Sequence, residues 1–323
     1  MRISSLIACA GCVAMVGCGA SGVTTFEPDG GAGADASSDT GPSPFKDGSA
    51  PDTSTGGAPL IYANTDKELY TMDPTSKAVT LVGAFDDGTS TLGNVTDLAV
   101  NAAGEVWVNT ESAIFRAAVP TAPGAVKLTK VTDITLKSAQ KFYALGFTLA
   151  GTLGTDEKLV AGDNLGELYA VESNGSTVAL GNFGTDPQGN RFELSGDIMF
   201  FALNGQPRGL ATLRSCKGTT CTTTNDILAE INVTAMQAAY TNKSPGNMRK
   251  SLLGAGSGFG KLFGIGAWND SVYAFSRQGA NPAQLIQIGV TGTGKVLQSF
   301  PQITSGWSGA GVTTSASVTI LPN

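Results

Sequence analysis

The sequence predicts an all-β fold, and three observations carry that prediction. Short β-prone strings recur along residues 60–323, each followed by a turn and a second apolar strand. No segment sustains the 3.6-residue apolar period of a helix with matching caps, and the best helical stretches, 133–142 and 234–240, are short. The strings return at a spacing of roughly fifty residues with three to four strands per unit, which among all-β architectures favours a β-propeller. The expected blade count is five, with six or seven as alternatives because 60–94 and 234–262 parse in more than one way.

The units follow one another in order. LIYANTDKELYTMDPTSKAVTLVGAF covers 60–85, and VTDLAVNAAGEVWVNTESAIFRAAV covers 95–119, closing with VKLTKVTDI at 126–134. FYALGFTLAG, EKLVAGDNLGELYAVES and TVALGNF fill 142–184. FELSGDIMFF, PRGLATLRSC and DILAEINV fill 192–233, with SLLG at 251–254 as a further strand. KLFGIGAWNDSVYAFSRQ, AQLIQIGV and GKVLQSF fill 261–300. The starts TDLAV, LSGDIMF, LFGIGAW and SGAGVTT are rich in small residues, as strands crowded around an axis require. The last of these, GAGVTT at 309–314, is expected to pair with the unit that begins at Leu60, so that the C-terminal strand closes the N-terminal blade and removes an exposed edge.

The string LYTMDPTSKAVTLVG resembles propeller repeats of secreted bacterial proteins, in which an LYxxDPxTG-like hairpin ends each pair of strands. The resemblance covers most of 60–315 and assigns no activity. Here the turn reads TSK where such repeats often read TG.

The N-terminus predicts a destination. MRISSLIACAGCVAMVGC has one Arg, an apolar run from Leu6 to Gly17, and then Cys18, the pattern of an export signal too short to span a bilayer. Met15-Val16-Gly17-Cys18 resembles a bacterial lipobox, with Met15 where Leu is usual. That resemblance implies a lipoprotein signal peptide at 1–17, cleavage before Cys18 and lipid attachment at Cys18. Residues 18–59 are expected to be a disordered Gly/Ser/Asp/Pro-rich linker, since Val23, Phe26 and Phe45 are its only large apolar groups. Gly19, rather than Asp, follows the cysteine, which by resemblance to Gram-negative lipoproteins implies the outer membrane. The linker composition and degenerate repeat together resemble uncharacterised lipoproteins of myxobacteria.

Composition excludes several chemistries. The chain carries a formal charge of −6, and no Lys/Arg stripe with interleaved aromatics suggests nucleic acid. It contains no His, which removes Ser-His-Asp and Cys-His catalysis and His-ligated metals. Beyond Cys18 only Cys216 and Cys221 remain, in SCKGTTCTTTND. In an exported chain their spacing predicts a disulfide bond, and a metal site would need two further ligands.

No catalytic residue and no metal ligand is assigned, and the reading leans away from an enzyme. Asp97 and Asp197 sit at comparable places in TDLAV and SGDIMF, and Asp163 and Asp270 are further acids at turns. Each of these acids also fits a turn capped through its own backbone. Trp268 and Trp307 are candidates for stacking on a ligand or filling the core. These six residues are the expected binding positions, with Ca²⁺ the one cofactor considered, on acids that form no EF-hand loop. The function expected is a lipid-anchored, monomeric cell-envelope module that binds a glycan or an envelope protein or serves as structure. The alternative is a carbohydrate-active hydrolase or lyase that uses carboxylates on the same scaffold.

Overall fold

Alternating apolar residues and tight turns make the chain-adjacent strands that pair do so antiparallel. The computed structural model describes residues 60–134, 141–222, 224–277, 282–289, 291–316 and 318–319; the expected signal, Cys18 and the linker lie outside them. The first strands are β1 (Ile61–Asn64), β2 (Glu68–Met72), β3 (Val79–Asp86), β4 (Asp97–Val100), β5 (Val106–Asn109), β6 (Ala113–Ala118) and β7 (Val126–Asp133). A second group holds β8 (Phe142–Phe147), β9 (Leu159–Asp163), β10 (Glu167–Val171) and β11 (Thr177–Asn182). A third begins with the long pair β12 (Arg191–Leu203) and β13 (Gln206–Lys217), then β14 (Thr220–Cys221) and β15 (Ile227–Ile231). The helix α1 (Val233–Asn242) follows, then β16 (Gly246–Asn247) and β17 (Arg249–Leu253). The last strands are β18 (Leu262–Trp268), β19 (Ser271–Ser276), β20 (Ala283–Ile288), β21 (Gly294–Phe300) and β22 (Gly309–Gly311).

The sheets correct the propeller expectation. The strands do not form five equivalent four-stranded blades. They form one eight-stranded sheet in the order β22-β1-β2-β3-β7-β6-β5-β4, two five-stranded sheets and one four-stranded sheet. The cause is a pairing between distant segments: β3 and β7 run parallel, with Phe85 opposite Val126 and Asp86 opposite Lys127, and fuse what local hairpins suggest are two units. The eight-stranded sheet curls until its edges approach, with a parallel bridge between Val100 in β4 and Thr313 just beyond β22, so it is nearly closed and barrel-like. β22 pairs antiparallel with β1 through Tyr62–Gly311, Ala63–Ala310 and Asn64–Gly309. The second sheet likewise gains the short parallel strand β16 on β11.

The eight-stranded sheet sends both of its edge strands, β4 and β22, to the centre, and each of the other three sheets sends one, β8, β12 and β18. β4, β8, β12, β18 and β22 neighbour one another in turn. Close approach is obligatory there: a Cβ on Gly309 would lie 2.1 Å from an Asp97 carboxylate oxygen. Around this centre the larger apolar side chains pack between sheets. Trp307 is fully buried and meets Tyr70, Phe275 and Phe300 edge-on, at centroid distances of 5.1, 5.3 and 5.4 Å. Tyr70 lies on β2 and the two phenylalanines on β19 and β21, so one indole joins the first sheet to the fourth.

Local devices set the turns. Asp73 accepts from the amides of Thr75 (2.7 Å) and Ser76 (3.1 Å), and Lys77 takes the left-handed position that glycine fills in similar turns (φ 64°). The helix α1 spans the expected 234–240 stretch; Asn232 caps it by accepting from the Ala235 amide at 3.1 Å. The other stretch, 133–142, holds the end of β7 and the start of β8, and its residues 135–140 lie outside the described ones.

Trp307→Ala should cost about 3–5 kcal/mol, because it removes a fully enclosed indole and three edge-to-face contacts. Urea unfolding checks this: the midpoint falls while the slope of the transition is kept, and a midpoint close to that of the wild type contradicts the account.

Candidate functional site

Asp97 opens β4 and Asp197 lies within β12, each where a strand reaches the centre. Both are completely buried. Asp97 accepts from its neighbour Leu98 N (2.8 Å) and from Leu145 N on β8 (2.7 Å). Asp197 accepts from Ile198 N and from Ile265 N on β18, both at 2.6 Å, and also from the Ala310 amide on β22. The two carboxyl groups lie close enough to interact. Two ionised carboxylates there would repel in the dry centre, which favours a proton shared between them. Burial pushes both acids well above the ordinary carboxyl range, and the backbone amides offset this in part.

A cavity of about 400 Å³ opens immediately above this pair. Its floor includes Thr96 and Gly196, the residues just before the two acids, with Ser308 one residue before β22. A register shift between Leu194 and Ile198 in the β12–β13 ladder lies at this floor and carries Ser195 and Gly196. Val95, Leu194, Phe263 and the half-exposed ring of Tyr143 provide apolar wall.

Two cations share the wall, Arg214 on β13 and Arg277 just after β19. Arg214 reaches Glu193 at 3.4 Å, but Glu193 is also held by Arg191. The buried Nε of Arg214 has no hydrogen-bond partner among the described residues. Arg277 lies across Gly306 (φ 74°), where a Cβ would come within 2.5 Å of its stem. No ion pair of the described residues involves Arg277. The acids of the wall are Asp66 and Glu111, and Glu111 is paired with Lys141 at 2.9 Å. Behind Ser195 lies the buried Asp226, which accepts from the Ser195 hydroxyl and from Leu262 N at 2.8 Å. Burial raises its carboxyl to about 6, against the opposing pull of these donors and of Arg214.

The remaining expected positions lie elsewhere. Asp163 is buried at the end of β9 and caps its own turn, accepting from the amides of Leu165 (2.8 Å) and Glu167 (2.9 Å). Asp270 is exposed in the β18–β19 turn and accepts from the Ser271 hydroxyl at 3.0 Å. Trp268 is half-buried at the end of β18, and Trp307 is core. Cys216 and Cys221 form a disulfide (S–S 2.07 Å) between paired residues of β13 and β14. With Glu193 they make a compact cluster of potential ligand atoms within 4.8 Å. The sulfurs are bonded to each other and Glu193 is held by two arginines, so the cluster offers a cation no free ligand set.

These placements correct the expected function. The scaffold is not a propeller, and the two acids that meet are sealed and committed to backbone amides, so they form no open carboxylate pair of the hydrolase type. Among the described residues no helix is long and apolar enough to cross a membrane; these residues lend no support to the expected membrane-anchored, outer-membrane lipoprotein module. The cavity residues Arg214, Arg277, Ser195 and Asp226 were not singled out by sequence reasoning. Only Arg214 has a signal in the sequence: Arg208, Leu210, Thr212 and Arg214 fall at every second position of PRGLATLRSC, which puts both arginines on one face of a strand.

No family model matches the chain, and no curated protein matches it. Among solved structures, a Bacteroides caccae protein of unknown function is similar at 11% identity and TM-score 0.41, over 79% of this chain and 99% of that one. A chain of a nidogen/laminin complex is similar at 13% identity and TM-score 0.44, over 81% and 100%. The Dos1 propeller is similar at 13% identity and TM-score 0.34, over 70% of this chain and 51% of that one. These similarities are too distant to carry an argument about fold or function.

The acid pair predicts a pH dependence of stability. Both folded values lie above the ordinary 3.8, so their contribution is full below about pH 4 and is lost as pH rises through the folded values. Stability should therefore decline as pH rises beyond the ordinary carboxyl range, where other carboxylates are already ionised. Asp197→Asn, which leaves one acid beside an amide, should flatten the decline. Urea midpoints above that range check it, and a wild-type midpoint that stays level or climbs contradicts it.

Proposed function

We propose that the domain binds a small organic anion in the cavity above the Asp97–Asp197 pair. The observation that carries this is the pair of guanidinium groups, Arg214 and Arg277, at the wall of a cavity of about 400 Å³. Arg277 supplies a second guanidinium free of any described ion pair, and two planar forks suit a carboxylate, sulfonate or phosphate. Leu194, Phe263 and Tyr143 give the organic part of such a ligand apolar contact. The reading is of a receptor. An exported setting belongs to the same reading, and the Cys216–Cys221 bond supports it because disulfides persist in oxidising compartments.

Calorimetry with benzenesulfonate and with its uncharged analogue benzenesulfonamide, at low ionic strength, tests the proposal. The anion should bind and the neutral analogue should not. Arg214→Gln and Arg277→Gln should each weaken the anion about tenfold or more, with little change in melting temperature. Equal binding of the neutral analogue, or indifference to both arginine changes, overturns it.

A further inference from the structure

The cavity has a titratable group wired into its wall. Asp226 precedes β15, and its carboxyl is enclosed by three elements. From β12 comes the Ser195 hydroxyl, from the segment entering β18 come the amides of Lys261 and Leu262, and from β13 comes the positive charge of Arg214. Ser195 and Arg214 themselves line the cavity. Any charge on Asp226 is thus felt in the cavity through one hydroxyl and one guanidinium.

We propose that Asp226 couples anion binding to proton uptake, so that the cavity holds its ligand tightly when Asp226 is neutral and weakly when it is a carboxylate. This rests on the anion-binding reading above. As a carboxylate, Asp226 draws the Ser195 hydroxyl hydrogen inward and competes with the ligand for Arg214. On taking a proton from solvent, the carboxyl becomes a donor to Ser195 Oγ. The Ser195 hydrogen is then released to point at the bound anion, and Arg214 loses one of its two negative neighbours. The burial that raises this carboxyl to about 6 sets the change in the mildly acidic range.

The other acids of the surroundings are already engaged or lie apart from Asp226. Glu193 holds Arg191 and Arg214, and Glu111 holds Lys141. Asp66 is the remaining wall acid, and the Asp97–Asp197 pair lies below the floor, facing backbone amides. A response that depends on Asp226 itself separates it from all of these.

The test uses the full chain and benzenesulfonate, whose charge does not titrate in the range employed. Its affinity should be about tenfold higher near pH 5 than near pH 8, a size consistent with a unit charge a few ångström away in a partly screened site. Asp226→Asn should bind near pH 8 as tightly as the wild type near pH 5, with a flat profile. Calorimetry of the wild type near pH 6, in two buffers of different ionisation enthalpy, should show net proton uptake on binding, a readout independent of how the variant folds. Binding that is equal at both pH values, a wild-type slope retained in Asp226→Asn, or no proton uptake overturns the coupling and leaves the anion site standing. No binding at any pH overturns both.

Discussion

The buried Asp97–Asp197 pair is the contact on which the arrangement of sheets depends. Asp97 belongs to the first sheet and accepts from Leu145 of the second; Asp197 belongs to the third and accepts from Ile265 of the fourth. Asp197 also accepts from Ala310, on the edge strand of the first sheet. One proton-sharing pair therefore ties all four sheets at a point where β4, β8, β12, β18 and β22 leave backbone amides without ladder partners. Those amides are buried and need acceptors. A carboxyl group offers two acceptor oxygens on a short stem, and no apolar residue can take that role.

The charge arithmetic explains why there are two acids and a proton. A single buried carboxylate amid amide donors is stabilised by charge-assisted bonds, but two side by side repel at low dielectric. Sharing a proton removes the repulsion and adds a hydrogen bond. Each oxygen keeps a partner, and the centre carries at most one net charge. The arrangement also demands glycine at 309, since any side chain there would strike Asp97. Acid, amide and glycine are thus one device, and the floor of the cavity, built from the residues just before these acids, inherits its rigidity.

Strand positions were legible in the sequence because alternation and turn chemistry are local. The β12–β13 ladder, the Asp73 turn and the disulfide hairpin each follow from residues within a few positions of one another. The sheet architecture was not legible. The parallel β3–β7 contact joins residues about forty positions apart through only two residue pairs, Phe85–Val126 and Asp86–Lys127, and nothing in either string marks the other as its partner. Asp97 and Asp197 stood out for their matching contexts, but their burial depends on which strands surround them. Arg277 and Asp226 were illegible for the same reason: each looks like an ordinary strand-end or turn residue until sheets distant in sequence enclose it.

The contrast between the two buried acidic sites separates stability from function. At the centre every carboxyl oxygen faces backbone donors, so ionisation acts on the fold as a whole. At Asp226 the donors include a serine hydroxyl and a nearby arginine that also border open space. Side-chain donors can change partners when the acid is neutralised; amides fixed in a strand's backbone cannot. A proton at Asp226 is therefore free to alter what the cavity presents, whereas the proton shared below the floor can only hold the sheets together. The same residue type, buried to a similar depth, acquires a different role because its hydrogen-bond donors are mobile in one place and fixed in the other.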